Sequence, residues 1–460
     1  MANAMPLLLV VPFSSMQEWG AKQFFFSKIQ SKYNIEKLGE HLVHQTSKMQ
    51  LSDFPDEDFV ILGVSNKVGM FDANVEKGKA IKQKYHVVED AWIAYNPYRI
   101  NVGSIGIKTP WLKGRYISPA YVVFSCKESL LPEFLLLMMK CDVFNSLIKD
   151  STTGSVRQIL QFDRLANIKA PIPSIPEQRK LLEAYSATLT EADKNIAAGN
   201  SFSENLLLAI QSEVSSLNPM KQESVDSTSV LQFTPFATID RWEVGSILKS
   251  GRLDSVYSSF KYDSYCINEL QEESLFGLSI KASPTKKDGM IPMLRMANVI
   301  NGEIDFSKLK YLPRKCAVTD KEPDKWLLRK GDFLVTRTNG SKDLVGKAAV
   351  FHSNETYTYA SYLIRYRFNT EKVLPEYVNI LFMTPIVREQ VAVMRRQGGG
   401  QYNLNSDEIG AIRIPVPSIP KQKAIIEKYY SAKDGANAYY EKADELKKNA
   451  AENFEKAIFM

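Results

Sequence analysis

"PIPSIPEQRKLLEAY" runs from Pro171 to Tyr185, and "PVPSIPKQKAIIEKY" runs from Pro415 to Tyr429. About half of the paired positions are identical, and most others are conservative, with Leu181 and Leu182 standing against Ile425 and Ile426. A proline-punctuated polar stretch of this length does not recur by chance. A long internal repeat therefore governs how every other pattern in the chain is read.

The correspondence continues outward. "LPEFLLLMMKCDVFNSL" from Leu131 answers "LPEYVNILFMTPIVREQ" from Leu374, and "FDRLANIKAPIP" from Phe162 answers "SDEIGAIRIPVP" from Ser406. Far upstream, "PFSSMQEW" (Pro12 to Trp19) answers "PFATIDRW" (Pro235 to Trp242). A weaker echo links "VILGVSNKVGMFD" from Val60 with "PMLRMANVINGEID" from Pro292. The simplest account is two tandem copies, 12–234 and 235–460, most diverged in their interiors. Solenoid repeats are shorter and more numerous, so the pattern points to a pseudo-symmetric protein.

Bulk composition fits this. The chain has 460 residues, 44% hydrophobic and 24% charged, which is ordinary for a globular protein of two or three domains. A net charge of +6 is mildly basic and allows a polyanionic partner. Cys126, Cys141, Cys266 and Cys316 form no CxxC pair, and the four histidines form no HExxH. The expectation is neither a zinc site nor a disulfide framework, in a reducing compartment. The opening "MANAMPLLLVVPF" has too short an apolar run to span a bilayer and no basic stretch before it. A soluble, cytoplasmic protein with no membrane partner is expected.

Within each copy the texture changes once. Short β-rich runs ("DFVILGV", "DFLVTRT", "SYLIRYRF", "AYVVFS") mix with helical pieces and Gly/Pro/Asn punctuation, which reads as an α+β domain. After the prolines the pattern is purely helical. Ile425, Tyr429, Ala432, Ala436, Tyr439, Ala443, Leu446 and Ala450 alternate steps of four and three, a heptad seam. Leu181, Tyr185, Leu189, Ala192 and Ile196 do the same in the first copy, less cleanly around Gly199. Each helix should run roughly 45 Å at 1.5 Å per residue. Pro173, Pro176, Pro417 and Pro420 give a stiff extended entry and then permit a helix start. Two matched apolar seams are best buried against each other. The expected division is a first domain over 1–176, a long helix over 177–217, a linker over 218–234, a second domain over 235–420 and a second helix over 421–460.

Several stretches imitate catalytic motifs without completing them. "GSKDLVGKA" from Gly340 has one residue too many for a phosphate loop, and Ala348 stands where Ser or Thr must hold magnesium. "YNPY" (Tyr95 to Tyr98) lacks the second proline of the adenine methyltransferase motif, and no Gly-rich loop precedes it. "GGGQ" (Gly398 to Gln401) has nothing around it of the release factors that carry such a loop. No catalytic residue, cofactor site or metal site is assigned, which favours a binding protein.

What remains is basic, amide-rich and Gly-rich loop material at matching places in both copies. The second copy offers Arg337, Asn339, Ser341, Lys342 and Lys347, then Arg395, Arg396, Gln397, Gln401, Tyr402 and Asn403. The first offers Arg99, Asn101, Ser104 and Lys108, then "STTGSVRQ" with Arg157 and Gln158. Arg suits guanine edges and Asn or Gln suits adenine, while Lys, Ser and glycine backbone fix register on phosphates. Lys77, Lys79, Lys82 and Lys84 form a further basic strip, readable as phosphate contacts or as a solvated face.

These residues resemble a known family, the specificity subunit of type I restriction-modification systems. The resemblance covers essentially the whole chain. It is stronger in the second copy, from "KGDFLVTRTNGS" through "VGKAAV", "YASYLIRYRF" and "GGGQYNLNSDEIGAIRIPVPSIPKQKAIIEKY". The first copy has "EDAWIAYNPYRINVG" where "KGDFLVTRTNG" would stand. The resemblance implies a non-catalytic protein with two target recognition domains, each binding half of a bipartite, asymmetric site in double-stranded DNA. It implies two long helices paired antiparallel as a spacer, two docked adenine methyltransferase subunits that carry S-adenosylmethionine, and restriction/translocase subunits in the full complex. A type IIB or related specificity subunit shares this architecture and stays open, as does a helical scaffold that binds no DNA.

Overall fold

The computed structural model describes residues 29–151, 159–217, 253–318 and 324–460. The expected linker over 218–234 and the "PFSSMQEW"/"PFATIDRW" pair lie outside them. Two compact units result: unit 1 comprises Met1–Asn195 and Glu441–Met460, and unit 2 comprises Ile196–Tyr440. The fold is mixed α and β, in two domains with two long helices, as expected.

In unit 1 the strands are β1 (Ile35–Lys37), β2 (Leu42–His44), β3 (Lys48–Met49), β4 (Asp58–Ser65), β5 (Gly69–Lys77), β6 (Tyr85–Val87), β7 (Ile93–Tyr95), β8 (Ile105–Ile107), β9 (Tyr116–Ile117), β10 (Val122–Cys126) and β11 (Lys169–Pro171). They are followed or interrupted by α1 (Pro132–Met138), α2 (Asp142–Ser151), α3 (Phe162–Asn167) and α4 (Ile175–Val214). One sheet orders β2-β10-β7-β8, a second orders β3-β6-β9-β4-β5, and β1 pairs with β11 as a small ribbon.

Unit 2 repeats this plan. Its ribbon pairs β12 (Ser264–Cys266) with β25 (Arg413–Pro415), and a short helix, α5 (Ile267–Leu270), follows β12. The main sheet orders β13 (Gln271–Phe276), β22 (Leu363–Phe368), β18 (Phe333–Thr336) and β20 (Ala348–Val350), all antiparallel like its counterpart. β18 and β22 are nearly continuous apolar runs because both of their faces are covered, whereas the edge strand β13 alternates half-buried with exposed residues. Two arginines interrupt the buried run of β22. Arg365, fully buried, pairs with Glu273 and donates to the Lys325 and Leu327 carbonyls, and Arg367 pairs with Asp332 and Glu273. Burial of these charges is tolerated because each has a fixed partner. The remaining elements are β14 (Met290–Leu294), β17 (Lys310–Pro313) and β21 (Thr358–Tyr359), the hairpin of β15 (Val299–Ile300) and β16 (Glu303–Ile304), the set β19 (Thr338–Asn339), β23 (Arg396–Gly398) and β24 (Gln401–Asn403), and the helices α6 (Pro375–Met383), α7 (Pro385–Met394), α8 (Ser406–Gly410) and α9 (Ile419–Phe459).

The long helices begin inside the repeated sentence. Pro176 and Pro420 occupy the second position of α4 and α9, where a missing N–H costs nothing. Ser174 and Glu177 cap the first, since the Ser174 N–H and hydroxyl both donate to the Glu177 carboxylate. At 40 and 41 residues the helices run about 60 Å each, longer than the sequence pattern alone suggested.

Each unit holds part of both helices. In unit 1 the Phe454 ring packs 5.9 Å from Tyr185 and 5.6 Å from Phe134, and Ile458 and Phe459 join the same core. In unit 2, Ile210 and Val214 of α4 and Ile425 and Tyr429 of α9 enter the core together. There Glu213 takes both Lys421 and Lys428 at 2.6 Å, while Phe202 faces Tyr439 and Asn200 takes the Tyr440 hydroxyl. Rising numbers on one helix meet falling numbers on the other, so the pairing is antiparallel. The chain's last turns thus complete the core of the first copy.

Of the heptad positions, Ala192, Ile425, Tyr429, Ala436 and Ala443 are buried, and Leu181, Tyr185, Leu189, Ile196 and Leu446 are half-buried. Tyr439 differs from these. It is 38% exposed and flanks the seam, because Gly199 lets the Tyr440 ring in instead. A Cβ on Gly199 would stand 2.9 Å from that ring. α4 continues through Gly199 unbroken, which explains the irregular pattern there.

Candidate nucleic-acid interface

In unit 2 the candidate residues Asn339, Arg396, Gln397, Gln401, Tyr402 and Asn403 lie on one small sheet, with Arg337 and Arg395 directly before two of its strands. α7 ends as Arg395 turns extended and enters β23, and Gly399 and Gly400 reverse the chain into β24 with φ of +57° and +75°. Two successive left-handed residues make a tight hairpin that side chains other than Gly, Asn or Asp rarely allow. β24 also pairs with β19, which places Gln397, Tyr402 and Asn339 in one cross-strand row and Arg396, Asn403 and Thr338 in the next.

The arginines mostly hold this platform. Arg396 Nε donates to Glu408 at 2.7 Å, and Glu408 closes a capping box with Asn405 at the start of α8. Arg395 donates to the Lys342 carbonyl at 2.8 Å and lies 5.8 Å from the Tyr402 ring centroid. Arg337 sits 5.1 Å over Phe276. Thr338 donates to Asn403 Oδ1 at 2.7 Å, and Asn339 Oδ1 accepts the Ser341 N–H, shaping the loop that follows. Gln397, Gln401 and Lys342 are exposed, and their side chains have no hydrogen bond to another described residue. Lys347 is half-buried, and burial together with the nearby Arg388 guanidinium lowers its pKa.

Unit 1 offers a different surface. The loop after β7 is closed by the Asn96 N–H donating to the Ser104 carbonyl at 3.0 Å, is pinned by buried Ile100, and turns back at Gly103 with φ +83°. It presents Tyr98, Arg99 and Val102 to solvent, with Asn101 half-buried. Ser104 is buried and donates to the Val64 carbonyl, and Lys108 is buried against Asp90. Both are committed to the fold, which leaves neither side chain facing solvent. Arg157 and Gln158 lie outside the described residues. Of the basic strip, Lys77 pairs with Asp58, Lys79 is exposed within a short 3-10 turn (Gly78–Ala80), and Lys82 and Lys84 are exposed after it.

Two features were not singled out from sequence. Trp111 is 80% exposed on a loop fixed by the Asp72 carboxylate, which accepts the Lys113 and Gly114 N–H groups. Arg388 reaches the Asp343 and Val345 carbonyls at 3.1 and 3.0 Å and so holds the 339–347 loop. A lone Trp in a turn and a lone Arg in a helix carry no directional signal in sequence. All four cysteines are free, and among the described residues no helix is long and apolar enough to cross a membrane.

Residues 261–431 match the family described as the type I restriction modification DNA specificity domain. The EcoKI specificity subunit of Escherichia coli K12 is 27% identical over 186 residues, 39% of this chain and 39% of that protein, so the match spans under half the length of that relative. The MjaVIII specificity subunit of Methanocaldococcus jannaschii is 22% identical over 80% of this chain and 75% of its own length. Among solved structures, an HsdS subunit from Thermoanaerobacter tengcongensis covers 94% of this chain and 98% of its own at 15% identity, with a TM-score of 0.39. The chain is thus similar to specificity subunits of type I restriction-modification systems, with residues 261–431 matching their DNA specificity domain.

Proposed function

We propose that the chain is the non-catalytic DNA reader of its complex, each unit binding one half of a bipartite, asymmetric site. One observation carries the reading: the joint between domain and long helix is built identically twice, while the presented loops differ. Gln178 and Gln422 make the same bonds at the two joints, whereas the loop after β7 folds into a 3-10 turn over Ile100–Val102 and its counterpart after β18 enters β19 and pairs with β24. Identical joints suit two copies of one partner, and different loops suit two different half-sites.

In unit 2 the exposed Gln397 and Gln401 amides would read base edges, with adenine the best match for a bidentate amide. Lys342, Ser341 and Asn339 would fix register on phosphates, and Arg337, Arg395, Arg396, Tyr402 and Asn403 would hold the platform. In unit 1, Arg99 and Asn101 would read, together with Arg157 and Gln158. Ser104 and Lys108 drop out of the contact set. The long helices would set the spacer between half-sites. The joints would dock two adenine methyltransferase subunits, which bring S-adenosylmethionine, and restriction/translocase subunits would complete the complex in the cytoplasm.

The test is selection of duplexes from a random library by the chain assembled with its methyltransferase. Enrichment of two short fixed blocks separated by a constant number of unspecified bases supports the reading. Enrichment of a single block, or of none, contradicts it.

A further inference from the structure

A cleft of about 780 Å³ lies within unit 2, bounded by the β15–β16 hairpin, α7 and the long helices, with Asn200, Lys347, Arg388, Tyr429, Lys433 and Tyr440 among its lining. That is the size of a small-ligand site. One end is cationic. Arg388 stands in the first turn of α7 and uses one terminal nitrogen on the Asp343 and Val345 carbonyls, which fixes the guanidinium and leaves its other donors available. The side chain of half-buried Lys347 makes no hydrogen bond or ion pair with a described residue. The charged group acting on it is Arg388, a like charge.

Among the described residues no carboxylate of the cleft makes an ion pair with these cations. Glu303 pairs with Lys433, Asp305 accepts from Ser307, Glu204 contacts neither, and Asp343 acts on Arg388 only at longer range. Two adjacent cations, one without a partner, are stabilised by an anion, and a fixed guanidinium beside an ammonium suits phosphate oxygens. Arg395, two turns along from Arg388, extends the positive field from the hairpin to the cleft. The pair is absent from unit 1. Ser104 directly precedes β8 as Lys347 precedes β20, and Asn145 is fourth in α2 as Arg388 is fourth in α7. The feature thus follows the diverged parts of the copies, not the duplicated joints.

We infer that Lys347 and Arg388 form a seat for a phosphate group in the unit 2 cleft, apart from the base-reading hairpin. The source of that phosphate as a DNA backbone rests on the reading proposed above, and a free phosphoryl ligand is the other source. The experiment uses the full chain with its methyltransferase partner. Binding to the selected duplex is measured against salt for wild type, Lys347→Gln and Arg388→Gln. In parallel, the melting temperature is followed with inorganic pyrophosphate and no DNA.

A backbone seat lowers the slope of log affinity against log salt by about one for Lys347→Gln, equally on specific and unrelated duplexes. Lys347 has no partner to lose, so this variant separates binding from folding, whereas Arg388→Gln also loosens its loop. An unchanged slope, with pyrophosphate raising the melting temperature of wild type but not of Lys347→Gln, assigns the seat to a free phosphoryl ligand. Lys347→Gln matching wild type in both measurements overturns the seat. Should wild type show no sequence preference on DNA, the reading above fails, and the pyrophosphate comparison alone decides the seat.

Discussion

Gln178 and Gln422 are the same joint made twice. Each is fully buried in the first turn of a long helix. Gln178 accepts the Leu131 N–H at 2.8 Å and donates to the Ser129 and Pro173 carbonyls. Gln422 accepts the Leu374 N–H at 2.9 Å and donates to the Lys372 and Pro417 carbonyls. One side chain thereby satisfies the start of α1 or α6, the loop before it and the turn into the helix. Replacing Gln422 with Leu leaves a buried N–H and two carbonyls without partners, at a cost of about 1–3 kcal/mol. Urea denaturation should show a lower midpoint for Gln422→Leu and for Gln178→Leu. An unchanged midpoint would mean that water replaces the amide and that the joint is not held this way.

The last turns of the chain should matter to the first domain. Phe454 is 3% exposed and packs on Phe134 and Tyr185. Phe454→Ala should cost about 3–5 kcal/mol, as large-to-small changes in a core do. Limited proteolysis should then cut unit 1 faster while sparing unit 2. Equal protection of unit 1 in both proteins would show that α9 only rests on that core.

Stability in mild acid should depend on His86. Burial, with Lys48 and His44 adding to it, lowers its pKa from 6.5 to about 4. The unfolded chain binds a proton near pH 6.5, and the folded chain binds it only near pH 4. Stability is therefore full above pH 6.5 and falls as pH drops through the window down to about 4. His86→Leu should flatten the melting temperature between pH 6.5 and 4. The same slope in wild type and variant would place the acid sensitivity elsewhere.

Gln397 and Gln401 should separate reading from folding. Both are exposed, and their side chains have no hydrogen bond to another described residue, so alanine at either should leave the melting temperature unchanged. Each should lose about 1–3 kcal/mol of discrimination at one position of a half-site. Arg395→Ala with Arg396→Ala should instead weaken that half-site as a whole, since these residues hold the Lys342 carbonyl and Glu408. Retained discrimination in both glutamine variants would remove the hairpin from the contact set.

The spacer should follow the helices. Four residues inserted after Ala192 break the seam's phase and lengthen α4 by about 6 Å. The preferred gap between half-sites should change, as read by duplex selection. An unchanged gap would mean that the helices do not set it.

Sequence carried the architecture well because its determinants are local. A proline in the first helical turn, a capping serine and a three-four apolar step announce α4 and α9 wherever they dock. Partners distant in sequence were not legible. Nothing near Arg365 indicates that Glu273 will neutralise it, and nothing near Gly199 indicates that Tyr440 rather than Tyr439 will fill its space. Ser104 and Lys108 look like loop ligands by residue type, yet neighbouring strands bury them against Val64 and Asp90. Residue type states what a side chain can bind. Packing decides whether it faces solvent.

The most direct measurement is methylome sequencing of a host expressing this chain with its methyltransferase, against one expressing the methyltransferase alone. The account predicts N6-methyladenine at one bipartite motif that appears only with the chain, and loss of one of its halves in Gln397→Ala with Gln401→Ala. An assembled complex that yields no new methylated motif would contradict it.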